Sequence, residues 1–290
     1  MTSPKTLLKA WNLRPSKSLG QHFLTDPRTA EAIVRHTRIS PDDTILEIGA
    51  GLGALTVPLA RAGKQVYAVE KDPDIAGLLQ TETLLNRLTN IHILTENILS
   101  IDIPKMFKNQ PGGIVVAGNL PYNISSQILI RLVASRSVLS RAVVMLQDEL
   151  AERVIEPPGS RSYGRISVML QYCAVVKKVL QVSSDRFYPK PAIDSAVLLI
   201  EFKQEPDFPA DDEAFFFRVI KAAFGQRRKT LKNALAGSEL HLSPAAASSA
   251  LTRSGIDPGR RAESLSIQEF VRLSNTIGEI CFLLPEKNQK

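Results

Sequence analysis

An amide, a proline and an aromatic ring stand together at Asn119-Leu120-Pro121-Tyr122. The apolar stretch Ile114-Val115-Val116-Ala117 precedes them, and a helix-like segment beginning near Ser125 follows. The run is therefore expected in a loop at the C-terminal end of a buried strand, where open α/β sheets hold their ligands. An amide oxygen can accept hydrogens from the exocyclic amine of a planar base, and a neighbouring ring can stack on that base. Residues of these types at this spacing suit group transfer to a nucleobase nitrogen.

A second candidate site lies upstream in Glu47-Ile48-Gly49-Ala50-Gly51-Leu52-Gly53. Gly49 and Gly51 let the backbone turn tightly and approach a ligand closely. Glu70 ends the next apolar run, where an acid can accept both ribose hydroxyls of an adenosine. A dinucleotide fold would carry Gly-x-Gly-x-x-Gly and a pyrophosphate. This chain has Gly-x-Gly-x-Gly behind an acid, which suits a cationic amino-acid moiety. That points to S-adenosylmethionine over a nicotinamide dinucleotide; the bland alternative is a glycine-rich turn without a ligand. Asn97 closes a third run, where it either reaches an adenine amine or makes an Asx turn.

Alternating elements must hold these residues. Apolar runs at 44–48, 65–70, 91–94, 114–117 and 141–146 read as strands. Helical patterns fall at 54–62, 73–87, from 125 onward, and at 148–155. Such alternation implies a doubly wound parallel sheet, an α/β Rossmann-like fold. Runs at 175–182 and 196–202 are expected to add an antiparallel edge. The segment Lys203-Gln204-Glu205-Pro206-Asp207-Phe208-Pro209 reads as a boundary. The division expected is a sheet domain over 1–205, with a basic N-terminal segment over 1–40, and a small all-helical domain over 206–290. Helices are expected there at 213–224, 228–235, 244–254 and 267–277, with Ser243 and Ser266 capping the last two.

The chain has 290 residues, 44% of them hydrophobic, and a net charge of +7. No stretch approaches the roughly 18 apolar residues of a membrane span, and the basic N-terminus lacks a secretory core. A soluble cytosolic protein is the expectation. Cys173 and Cys281 share no metal-like spacing with the four histidines, so no metal site is expected. Positive charge clusters at two places. Residues 1–38 hold seven Lys or Arg against two acids, and residues 218–235 hold six with none. Arg227, Arg228, Lys229 and Lys232 are candidates for phosphate contacts, or else a solvated turn.

These segments together resemble the ribosomal RNA adenine dimethyltransferase family in its bacterial small-subunit (KsgA) type, across nearly the whole chain. Ser18-Leu19-Gly20-Gln21-His22-Phe23-Leu24-Thr25-Asp26 resembles the family's N-terminal cofactor motif, with His22 where Asn is common. Residues 47–53 and Glu70-Lys71-Asp72 match its glycine loop and ribose acid, and Asn97 stands where Asp is usual. Residues 119–125 match the catalytic motif, 187–195 the aromatic-proline loop, and 224–231 a stretch of the helical domain.

The resemblance implies S-adenosylmethionine as cofactor, held by His22, Leu24, Gly49, Gly51, Glu70, Asn97 and Asn119. It implies dimethylation of N6 on two adjacent adenines in the 3′-terminal hairpin of 16S rRNA, within a small-subunit precursor, by a monomer. Asn119 Oδ1 and the Leu120 carbonyl would accept the amine hydrogens, with Pro121 stiffening the loop. Tyr122 and Phe187 would sandwich the flipped base, unless either ring belongs to the core. Competing readings are a large-subunit (Erm-type) adenine methyltransferase, an RNA-binding assembly factor without catalysis, and, weakest, a nicotinamide-dependent oxidoreductase.

Overall fold

Apolar runs punctuated by glycine and proline become the strands of the central sheet. The computed structural model describes residues 3–110, 112–226 and 228–283, the side chains of 281–283 excepted. Strands are β1 (Phe23–Leu24), β2 (Thr44–Ile48), β3 (Gln65–Glu70), β4 (Ile91–Thr95), β5 (Ile114–Asn119), β6 (Leu139–Gln147), β7 (Ala174–Val182), β8 (Phe187–Tyr188) and β9 (Ser195–Phe202). Helices are α1 (Pro4–Ala10), α2 (Pro27–Thr37), α3 (Thr56–Ala62), α4 (Pro73–Leu85), α5 (Ile103–Met106), α6 (Ser125–Ala134), α7 (Asp148–Ile155), α8 (Arg165–Cys173), α9 (Glu213–Phe224), α10 (Leu231–Ala236), α11 (Pro244–Arg253) and α12 (Ile267–Leu283).

The contacts divide the chain into two units. The first, Met1–Ala151 with Val175–Phe202, is built on a seven-stranded sheet of order β4-β3-β2-β5-β6-β9-β7. Pairing is parallel from β4 through β6, and β9 lies antiparallel against β6. β7 takes the outer edge. The chain runs outward from β2 through β3 to β4, then returns to place β5 on the other side of β2. Strand order therefore reverses between β2 and β5, and ligands bind at such a switch point beyond the carboxyl ends. β2 is buried along its whole length, as a central strand covered on both faces must be.

Two details fix the approach of β2 to β5. A Cβ on Gly118 would lie 2.3 Å from the Ile48 carbonyl oxygen, so no side chain fits there. Glu47 pairs in register with Ala68 on one side and Ala117 on the other, and these small neighbours leave room for its carboxyl. A separate two-stranded sheet pairs Phe23 with Tyr188 and Leu24 with Phe187. It ties the segment around residue 22 to the loop that precedes β9.

The second unit comprises Glu152–Ala174 and Lys203–Lys290. The expected single boundary near residue 205 is thus corrected: residues 152–174 leave the sheet domain. The cause is α8, whose apolar face is buried among the C-terminal helices. Tyr172 packs its ring on Phe216 at 4.4 Å and meets Phe217 edge-on. Within this unit Ser243 caps α11 through Ala246 N–H. Ser266 and Glu269 exchange backbone bonds ahead of α12, a capping box. α10 begins at Leu231, later than the expected start at residue 228, with Thr230 as its capping residue. No helix among the described residues is long and apolar enough to cross a membrane.

Candidate active site

The C-terminal ends of β2, β3, β4 and β5 open onto one cavity. His22, Leu24, Gly49, Gly51, Glu70, Asn97 and Asn119 all line it, together with Leu120, Pro121 and Tyr122. The expected cofactor and catalytic segments are therefore brought together. Pro4 and Leu7 of α1 form a further wall that sequence reasoning missed. Leu8, on the same helix, is anchored in an apolar cluster with Phe23, Leu52, Ile75 and Leu78.

The glycine loop turns through left-handed conformations, with φ of +74° at Gly49 and +54° at Gly51. A Cβ at Gly49 would stand 2.8 Å from the Asn119 carbonyl oxygen, so the loop and the Asn119 segment meet backbone to backbone. Glu70 is buried, and its two oxygens accept from Gly51 N–H and Asp72 N–H at 2.9 Å each. Burial raises its pKa, against the pull of those two bonds. Each carboxylate oxygen retains a second lone-pair direction for a ligand hydroxyl. Asp72 caps α4 and accepts from Gln21 Nε2 at 2.8 Å, joining the N-terminal motif to this wall.

Glu47 is 1% exposed, and its Oε2 is buried with no partner among the described residues. Burial, reinforced by the nearby Glu70 charge, pushes its carboxyl up to about 8. A buried carboxyl lacking a partner is costly unless a ligand completes it. The donor such an oxygen accepts best is a cation. These carboxylates, set around a glycine loop, fit a ligand carrying both a ribose and an ammonium group.

Asn97 makes the Asx turn that was one of its two expected roles. Its Oδ1 accepts from Leu99 N–H at 3.1 Å and keeps a second lone-pair direction. A neutral amide oxygen already shared with the turn accepts from an adenine amine less strongly than a carboxylate oxygen would. Asn97→Asp is expected to tighten binding of an adenosine cofactor about tenfold, the scale of one added charge-assisted hydrogen bond. One carboxylate oxygen keeps the turn while the other accepts from the amine. Titration calorimetry with S-adenosylhomocysteine measures it, and unchanged or weaker binding would rule out the adenine contact.

Asn119 ends β5 beside Met145 of β6. Its Nδ2 donates to the His22 carbonyl at 2.8 Å, which fixes the amide orientation. Its Oδ1 is buried and has no partner among the described residues. Leu120 N–H donates to the Met145 carbonyl at 2.9 Å, setting the plane of the next peptide. Ser125 Oγ donates to the Pro121 carbonyl at 2.8 Å, closing the turn into α6. The cavity wall thus holds a fixed, unpaired acceptor.

The two aromatic residues part company. Tyr122 lines the cavity, and its hydroxyl hydrogen-bonds Ser195 Oγ at 2.6 Å. Burial raises its pKa. Phe187 is 4% exposed and packs in the main core with Leu24, Ala30 and Ile33. Pairing with Leu24 in the small sheet turns this ring into the core, the alternative expected for it. The ring beside Tyr122 is His22, stacked at 5.3 Å between centroids. Ser195 closes the aromatic-proline motif, and that placement was the available sign of its role.

In the second unit, Arg228 and Lys229 are exposed on the turn between α9 and α10, and Lys232 is half-buried in α10. Arg227 lies outside the described residues. Lys221 is paired with Glu239 at 2.8 Å, and Arg218 lies over the Phe215 ring.

The family model for ribosomal RNA adenine dimethylase matches residues 12–279. The chain belongs to that family. Among curated relatives, the ribosomal RNA small subunit methyltransferase A of Desulforapulum autotrophicum is 47% identical over 277 residues, 96% of this chain and 97% of the relative. The protein of the same name from Syntrophotalea carbinolica is 40% identical, over 92% of this chain and 98% of the relative. Two solved structures share the fold. A dimethyladenosine transferase from Plasmodium falciparum superposes with a TM-score of 0.70 at 24% identity, covering 87% of this chain and 96% of that one. The 23S rRNA methyltransferase ErmE gives 0.64 at 23% identity, covering 88% and 99%.

Proposed function

We propose that this chain dimethylates N6 of two adjacent adenines in the 3′-terminal hairpin loop of 16S rRNA, in a small-subunit precursor, with S-adenosylmethionine as methyl donor. It acts as a monomer in the cytoplasm. The observation that carries the reading is Asn119: its amide is locked by the His22 carbonyl, and its buried oxygen is unpaired in the wall of a cavity that the half-buried Tyr122 also lines.

The bound cofactor supplies an electrophilic methyl group on a sulfonium. The residues of the chain do the rest. Gly49 and Gly51 allow close approach, Glu70 receives the ribose, and Glu47 answers the ammonium. Asn119 Oδ1 and the Leu120 carbonyl accept the two hydrogens of the adenine amine. That draws N6 towards tetrahedral geometry and localises its lone pair on the line of attack. The same two oxygens stabilise positive charge as it develops on nitrogen. Catalysis is mainly orientation, and the methylated nitrogen releases its proton to water. Tyr122 stacks on the extruded base, a contact worth about 1–3 kcal/mol.

Arg228 and Lys229 hold rRNA phosphates in this reading. Their joint replacement by Gln should weaken binding to small subunits and flatten the dependence of log affinity on log salt by about one unit per cation removed. An unchanged salt slope would leave them as a solvated turn. The substrate itself is tested with radiolabelled S-adenosylmethionine and ribosomal subunits lacking their adenine methylation. Label is expected in small subunits. Label confined to large subunits would contradict the assignment and favour the Erm-type reaction.

A further inference from the structure

The His22 ring stands at a junction that the methyl-transfer chemistry above does not assign, although its backbone carbonyl holds Asn119. Its ring stacks on Tyr122 with 5.3 Å between centroids and 23° between planes. Its Nδ1 lies 2.7 Å from the Pro189 carbonyl oxygen. A carbonyl can only accept, so Nδ1 carries the proton of that bond. The His22 backbone carbonyl accepts from Asn119 Nδ2, and the Tyr122 hydroxyl is tethered to Ser195. The residue therefore joins the Asn119 acceptor, the Tyr122 ring and the loop that runs from β8 to β9.

The stack also covers one face of Tyr122. Two rings 5.3 Å apart leave no room for a third between them. Phe187 packs in the core, so the ring found against Tyr122 is that of His22. We propose that His22 is a positioning residue for the acceptor base: its ring backs one face of Tyr122 and its Nδ1–H tethers the loop at Pro189, so the flipped adenine stacks on the opposite face. The proposal rests on the methyl-transfer reading above. His22 acts through Tyr122, Pro189 and Asn119 and not through the reacting atoms.

Three variants separate this role from simple cofactor contact. His22→Ala removes both contacts, His22→Phe keeps the stack, and His22→Asn keeps a donor within reach of Pro189. The measurements are kcat and KM on small subunits, calorimetric affinity for S-adenosylhomocysteine, and Tm. His22→Ala is expected to lower kcat at saturating cofactor about tenfold or more through misplacement of the base, beyond any change in S-adenosylhomocysteine affinity. His22→Phe and His22→Asn should each recover part of that loss. Should the Ala variant fail to fold, these two still carry the comparison, and each must fall below wild type in kcat. Wild-type kcat in both, or a loss that follows cofactor affinity, would overturn the proposal. A wild-type chain that methylates no adenine would instead overturn the functional reading, a distinct result.

Discussion

Asn119→Ala is expected to lower methyl transfer at saturating cofactor by about a thousandfold or more, the scale seen when a preorganised charge-stabilising group is removed. Affinity for S-adenosylhomocysteine should stay within about fivefold of wild type, because Glu47, Glu70 and the glycine loop remain. The side chain has two separable jobs. Nδ2 holds the His22 carbonyl, and Oδ1 is the buried acceptor left free for the amine. Asn119→Asp distinguishes them. It keeps an acceptor but sets a carboxylate oxygen where the donor to the His22 carbonyl stood, 2.8 Å away. Repulsion there should rotate the group and leave transfer nearly as low as in the Ala variant. Single-turnover assays measure both, and near-normal turnover by Asn119→Ala would remove the residue from the mechanism.

The second large effect concerns Glu47, and its two parts have opposite signs. Burial raises the carboxyl from an ordinary 4.5 up to about 8. The folded chain therefore binds this proton more tightly than the unfolded chain. The stability it confers is fully present below pH 4.5 and is lost as pH rises towards about 8, by about 1.4 kcal/mol per pH unit at most. Glu47→Gln has the same shape and no proton to lose. Without cofactor, its Tm at pH 8 should exceed that of wild type, and the decline between pH 5 and 8 should flatten. Cofactor binding should weaken about 30- to 100-fold, since a buried carboxylate facing an ammonium is replaced by a neutral amide. In wild type, cofactor affinity should rise with pH until the ligand's own amine begins to lose its proton near 8. Calorimetry across pH and thermal melts read both parts. A variant less stable than wild type at pH 8, or one binding cofactor normally, would contradict the role. A group that weakens the empty protein and strengthens the loaded one is the usual mark of a functional residue.

The parallel core was legible because its strands are short apolar runs bounded by Gly, Pro or Asn, a signal carried by local periodicity. The runs at 44–48, 65–70 and 213–224 coincide with β2, β3 and α9. The glycine loop, Glu70 and Asn119 were legible for another reason: each sits where a strand ends, and the switch point follows from strand order alone. What was hidden depended on partners distant in sequence. β1 and β8 are two residues each, too short to show alternation, yet their pairing is what buries Phe187. α8 carries an apolar face whose partners lie beyond residue 210, so no local composition marks residues 152–174 as part of the second unit. Asn97 was open between two roles because an amide serves a turn or a ligand equally well. Its bond to Leu99 N–H shows the turn, and its place in the cavity wall keeps the ligand contact for the Asn97→Asp test.

The most direct measurement is nucleoside analysis. Small subunits lacking adenine methylation are incubated with the wild-type chain and S-adenosylmethionine, the rRNA is digested, and the products are identified by mass spectrometry. N6,N6-dimethyladenosine from two adjacent positions near the 3′ end of 16S rRNA is expected with wild type and absent with Asn119→Ala. Cofactor binding by wild type with no methylated adenine, or methylation on a different base or a different atom, would contradict the central claim.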